Sequence, residues 1–227
     1  MQFHFALDFD GTVCPTDTTD LIIEAFAEGD WRQIEQDWRD GRIGSRECLS
    51  RQVAMLRADP AALRKVLAGV DLDPDFPAFV TAAWLRGASV SIVSDGFDRI
   101  IVPLLLAHGI DLPVTSNRLL PAGADRWTAA FSNLGESCAN GTCKCAAVPG
   151  NRPVVLVGDG RSDFCLARRA DFVLAKGELA AFCTREGIPH RKITGFADAL
   201  GFLEPPCAPR PRDTRADPRS TCENLHA

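Results

Sequence analysis

The chain has 227 residues, 46% of them apolar and 24% charged, with a formal net charge of −5. These are globular proportions with room for one core domain and an insert, and they exclude a disordered or fibrous chain. The acidic balance disfavours wrapping around a nucleic-acid backbone, and no stretch approaches the ~20 apolar residues that cross a bilayer.

Residues 3–7 form a short apolar run ending at Asp8-Phe9-Asp10-Gly11-Thr12, which reads as a buried strand followed by a tight turn. Residues 18–86 read as helical throughout. Leu21, Ile22, Ala25 and Phe26 share one helical face, Trp31, Ile34 and Trp38 a second, and Leu49, Val53 and Leu56 a third. Asp59-Pro60 is an N-cap with proline at the first helical position. Phe76, Phe79, Val80, Ala83 and Trp84 keep the 3.6-residue period, and the four tryptophans are expected to pack inside core or insert.

From residue 88 the period changes. A strand over 88–93 ends at Ser94-Asp95-Gly96, a helical stripe runs from Phe97 to Leu105, and a strand over 153–157 ends at Gly158-Asp159-Gly160. Strand and helix signals then alternate through 171–174, 178–186, 189–193 and 196–202. Such alternation predicts an α/β fold with a parallel, Rossmann-like, doubly wound sheet, and makes the helical block after the first strand an insert. The expected division is a core of 1–14 and 83–204, a helical cap of 15–82, and a Pro- and Arg-rich tail of 205–227 too poor in apolar residues to order itself.

In open α/β sheets, ligands bind beyond the carboxyl ends of the strands. Three strands here end in polar, glycine-containing groups, and Lys144 lies in a turn-rich stretch before the third. Carboxylates, a hydroxyl and an ammonium on one rim suit a divalent cation and a phosphate; hard oxygen ligands favour Mg²⁺.

Asp-x-Asp-Gly-Thr, Ser-x-Gly, a lone lysine and Gly-Asp-Gly-x-x-Asp, in this order and approximate spacing, resemble the four motifs of the haloacid dehalogenase superfamily over roughly residues 3–203. The resemblance implies that Asp8 is a nucleophile forming an aspartyl-phosphate and that Asp10 is the general acid and base. It implies that Asp8, the Asp10 carbonyl, Asp159 and Asp163 surround Mg²⁺, with Asp163 orienting Lys144 or a bound water. Gly11, Ser94, Asp95, Gly96 and Lys144 would bind phosphate. An aspartate at position 10 is the pattern of superfamily members that hydrolyse phosphate esters, so the implied activity is that of a phosphoric monoester hydrolase.

The insert is similar to the small helical cap of the phosphoserine phosphatase group, in which an acidic residue and an arginine contact substrate. Asp17 occupies the first region. Arg51 lies one place before the second, where Gln52 stands, and is carried as the substrate-contact candidate. The segments 44–52, 94–98, 116–118 and 170–176 look more like the 2-hydroxy-3-keto-5-methylthiopentenyl-1-phosphate phosphatase branch. That branch supplies the first expected substrate, a small phosphorylated metabolite, with phosphoserine second and a catalytically silent binding protein as the rival class.

Nine cysteines at irregular spacing make a poor disulfide framework, so reduced thiols are expected. Cys138, Cys143 and Cys145 around Lys144 raise a zinc reading that their C-x₄-C-x-C spacing does not favour. The N-terminus lacks the basic start and apolar run of a secretory signal. A cytoplasmic monomer or homodimer is expected, with no nucleic-acid or membrane partner.

Overall fold

The computed structural model describes residues 3–136 and 138–203; the expected tail of 205–227 lies outside them. Seven strands form one sheet in the order β4-β3-β2-β1-β5-β6-β7. They are β1 (His4–Leu7), β2 (Ser89–Phe97), β3 (Val114–Pro121), β4 (Trp127–Ala130), β5 (Val154–Gly158), β6 (Phe172–Ala175) and β7 (His190–Lys192). All neighbours run parallel except β3 and β4, which form an antiparallel hairpin. The expected α/β sheet is therefore present. The hairpin was not anticipated, because β3 is polar and only partly buried and shows no clean alternation.

The first strand is the centre of the sheet. Leu7 is in register with Ile92 of β2 on one side and Val157 of β5 on the other. Both faces are covered, so β1, β5 and β6 are buried along their whole length and read as continuous apolar runs. Alternate side chains still serve different layers. Phe5 and Leu7 meet Phe76, Phe79, Ile101, Phe196 and Phe202, from α5 (Phe76–Leu85), α6 (Asp98–Ala107) and α10 (Phe196–Leu203). Ala6 meets the opposite layer, which includes Leu166 and Ala167 of α8 (Phe164–Ala167) and Leu179 and Phe182 of α9 (Gly177–Glu186).

Between β1 and β2 the chain forms α1 (Thr18–Phe26), α2 (Trp31–Arg39), α3 (Ser45–Ala54), α4 (Pro60–Leu67) and then α5. The first four build their own apolar cluster around Ile22, Ile23, Trp31, Val53, Leu56 and Leu63. It extends to Phe97, Ile100, Leu119 and Trp127 of the sheet side, and the Trp127 indole donates to the Ala58 carbonyl at 2.8 Å. The buried stripe of α1 runs through Ile22 and Ile23, leaving Ala25 exposed. Asp59 caps α4 by accepting from the amides of Ala61 and Ala62. Helix α5 packs on the sheet, so the expected boundary at 82/83 falls inside a core helix. Trp84, expected to be packed, is 51% exposed on the outer side of that helix. Among the described residues no helix is long and apolar enough to cross a membrane.

Phe79 is fully buried, with its ring edge-on to Phe5 at 5.2 Å and tilted on Phe196 at 5.0 Å. Phe79→Ala should cost about 3–5 kcal/mol of stability, whereas Trp84→Ala should stay within about 1 kcal/mol. Denaturant unfolding of the two variants checks the contrast.

Candidate active site

Strand order reverses at β1, whose neighbours β2 and β5 are reached through opposite edges, and this places the carboxyl ends of β1, β2 and β5 side by side. Asp8 leaves the end of β1 and is buried. Its Oδ1 accepts the Phe9 amide at 2.8 Å and the Lys144 ammonium at 2.8 Å, and Oδ2 takes no side-chain or backbone donor among the described residues. Lys144 opens α7 (Lys144–Ala147), is 0% exposed, and is shared with Asp163 at 2.7 Å. The other oxygen of Asp163 accepts the amides of Asp159 and Gly160 at 3.1 and 3.2 Å. Asp163 thus fixes both the lysine and the turn that carries Asp159.

One oxygen each from Asp8, Asp159 and Asp163 lie within 4.8 Å of one another. Asp159 is held by the Thr12 hydroxyl at 2.9 Å. It also requires Gly11: the backbone there has φ +72°, and a Cβ would stand 2.4 Å from an Asp159 oxygen. The Asp10 carboxylate turns instead to the insert, accepting the Thr18 amide at 2.8 Å and the Thr18 hydroxyl at 2.7 Å. Ser94 is buried, its Oγ accepting the Gly96 amide at 2.9 Å.

This rim carries more negative charge than Lys144, together with Lys176 on the Gly11 carbonyl at 2.9 Å, balances. Burial, then the Asp163 charge, raise the Asp8 carboxyl well above the ordinary range against the pull of Lys144. Burial and Asp163 raise Asp159 as well. Asp10 keeps slight solvent contact but lies deep among protein atoms, and the resulting desolvation pushes it up to about 6 despite the Thr18 bonds. Burial pulls the Lys144 ammonium down, but the Asp163 and Asp8 charges outweigh it and hold it above the usual lysine range. A group of oxygen donors with uncompensated charge fits a hard divalent cation. Asp8 and Asp159 could hold it, since both Asp163 oxygens already serve other partners.

The haloacid dehalogenase-like hydrolase family model matches residues 5–168, most of the chain. The chain belongs to this family. It is 26% identical over 212 residues to a 2-hydroxy-3-keto-5-methylthiopentenyl-1-phosphate phosphatase of an Exiguobacterium species, covering 90% of this chain and 98% of the relative. It is 29% identical over 221 residues to the phosphatase of that name from Geobacillus kaustophilus, covering 89% and 96%. Among solved structures, a substrate-bound phosphoserine phosphatase has a TM-score of 0.68 at 17% identity, covering 90% of this chain and 99% of its own. At that identity the likeness establishes the fold of this haloacid dehalogenase-like hydrolase.

The other expected site residues are distributed unevenly. Asp17 caps α1 through the Asp20 amide, and desolvation in the cleft followed by the Asp10 charge pushes it up to about 7, although its side chain reaches solvent. The Asp95 carboxylate is turned away from a phosphate position, toward Ser45 of α3 and the Thr142 amide. Arg51 pairs with Glu47 at 3.5 Å on the exposed side of α3. Its neighbour Gln52 is the buried one and donates to Glu35 at 3.2 Å. Cys138, Cys143, Cys145 and Cys165 are free thiols. No three thiols among the described residues lie within reach of one metal ion. Thr18, Ser45 and Thr142 went unnoticed in the sequence, where a lone hydroxyl residue at a helix start or in a loop carries no signal of its own.

Asp10 and Asp20 are raised to about 6 and 7 from an ordinary value of 3.8. Groups raised on folding favour the folded state at low pH, and their contribution is lost as pH rises through the folded values. The unfolding midpoint of chelator-treated protein should therefore fall between pH 5 and pH 8. Added Mg²⁺ should raise it more at pH 8 than at pH 5, read by thermal unfolding at both pH values with and without the ion.

Proposed function

We propose that this chain, a phosphoric monoester hydrolase, dephosphorylates a small phosphorylated metabolite through an aspartyl-phosphate, with 2-hydroxy-3-keto-5-methylthiopentenyl-1-phosphate as first candidate substrate. Asp8 Oδ2, the oxygen left without a donor, attacks phosphorus while Lys144 holds Oδ1. The bond from phosphorus to the ester oxygen breaks, and the departing oxygen takes the proton of Asp10, releasing the alcohol or enol. Asp10, now a carboxylate, removes a proton from water. The hydroxide attacks phosphorus, the bond to Asp8 breaks, and inorganic phosphate leaves with Asp8 and protonated Asp10 restored.

A carboxyl raised to about 6 suits the two tasks of Asp10, being easily protonated for the first step and easily deprotonated for the second. Mg²⁺, bound by Asp8, Asp159 and the Asp10 carbonyl, would supply the positive charge that lets carboxylates and a phosphate dianion share the site. Ser94 and Lys144 are the phosphate-binding side chains of this reading, and Asp163 positions Lys144.

The observation that carries the substrate choice is the position of Gln52. Where the phosphoserine phosphatase pattern expects a cap arginine for the substrate carboxylate, Gln52 is buried against Glu35. Glu35, paired to Arg39 at 3.0 Å, is in turn close enough to Asp17 and Asp20 for its charge to raise both. An acidic lining repels a substrate carboxylate, and the enolphosphate has none. The names and nearly full-length coverage of the relatives from Exiguobacterium and Geobacillus support the same choice.

Phosphate release from a panel containing the enolphosphate, phosphoserine and p-nitrophenyl phosphate tests this reading. With Mg²⁺, the enolphosphate should give a kcat/KM at least about 100-fold above phosphoserine, the scale on which a buried unpaired charge discriminates. Chelator, or Asp8→Asn, should abolish turnover of every ester. Phosphoserine as the best ester would overturn the substrate choice, and turnover surviving Asp8→Asn would overturn the covalent route.

A further inference from the structure

Asp95 has no place in the chemistry just described, yet its half-buried carboxylate has no cation in hydrogen-bonding contact among the described residues. Enclosure raises its carboxyl, and donors on both oxygens oppose that rise. Oδ1 accepts the Thr142 amide at 2.6 Å, and Oδ2 accepts the Ser45 hydroxyl. Ser45 Oγ in turn accepts the Gly141 amide at 3.2 Å. The Asp95 carbonyl accepts from the Asn117 side chain at 2.6 Å, and Asn117 Oδ1 accepts the Thr142 hydroxyl at 3.1 Å. One residue therefore touches three bodies: β2 beside Ser94, the loop that ends two residues before Lys144, and the first turn of α3 on the insert.

The contact between insert and loop is close. The Arg46 amide donates to the Ala139 carbonyl at 3.2 Å, and its guanidinium reaches the carbonyls of Cys138 and Asn140 at 2.7 and 3.0 Å. The approach depends on Gly44, where a Cβ would stand 2.4 Å from the Ala139 oxygen. A carboxylate accepting charge-assisted bonds from both sides holds such a junction in one geometry, which a neutral acceptor would do more weakly. Ser94 and Lys144 are the two side chains whose placement then depends on it.

We propose that Asp95 is a positioning residue that, through Ser45, makes docking of the helical insert set the geometry of the phosphate-binding pair Ser94 and Lys144. The inference rests on the reading of those two residues as phosphate ligands. With the insert docked, the 138–143 loop is pinned and Lys144 is presented to Asp8. With Ser45 withdrawn, Asp95 and the Gly141 amide each lose a partner and the loop is free to shift.

Two measurements on the full chain, with wild type, Ser45→Ala, Ser45→Thr, Asp95→Asn and the double variant, test it. Amide hydrogen exchange should be about tenfold faster across 139–146 in Ser45→Ala than in wild type, with β1 and β5 unchanged, and Ser45→Thr should restore protection. Binding of inorganic phosphate in the presence of Mg²⁺ should weaken by about tenfold in each alanine or asparagine variant. The double variant should be no weaker than the worse single one, because both remove the same contact. Wild-type exchange across 139–146 in Ser45→Ala would overturn the proposal, as would losses that multiply in the double variant. Failure of wild type to release phosphate from any ester would instead overturn the functional reading, and the exchange measurement would still judge the junction.

Discussion

Everything at the rim is arranged around one buried ammonium. Lys144 has no solvent contact and is held by Asp8 and Asp163 at 2.8 and 2.7 Å. Removing one member of such a buried group leaves an uncompensated charge, which costs about 3–5 kcal/mol, so the three residues stand or fall together. Asp8 is attached to β1, Lys144 to the loop after the hairpin, and Asp163 to the turn after β5. The interaction therefore ties together segments more than 100 residues apart and fixes which oxygen of Asp8 is left for chemistry.

The same constraint explains why the rim has a role for a cation beyond the lysine. Asp8, Asp10 and Asp159 are all raised by desolvation; Lys144 is already divided between Asp8 and Asp163, and Lys176, on the Gly11 carbonyl, only partly offsets the rise of Asp159. Thr12, Thr18 and the Asp159 and Gly160 amides orient the acids without neutralising them. The protein supplies direction, and a bound divalent cation would supply the charge balance that an anionic phosphate makes more necessary still.

Much of this was legible in the sequence because strand ends with carboxylates and glycines have a strong local signature. Asp8, Ser94 and Asp159 lie at strand ends, where their positions after apolar runs put them; Lys144, in a turn-rich stretch, and Asp163 were singled out by the motif resemblance and meet Asp8 there. The polar edge of the sheet was not legible, since β3 and β4 are partly solvated and lack a period that a sequence can show. Nor could the sequence tell Arg51 from Gln52: adjacent residues on a helix point about 100° apart, and only packing of α3 on α2 decides which faces Glu35. Asp95 shares its motif with Ser94, but alternation along β2 sends its side chain to the insert.

The position of β1 has a consequence for synthesis. This four-residue strand leaves the ribosome before either of its neighbours in the sheet, which begin at Ser89 and Val154. At a translation rate of about 5–20 residues per second, β1 waits roughly 8–30 s for its second partner. During that time an apolar segment destined for full burial has nothing to pair with, and the helices of the insert, with their local contacts, are free to form first. Asp8 is thus synthesised long before its surroundings, which it acquires only once the strand beginning at Val154 has been made.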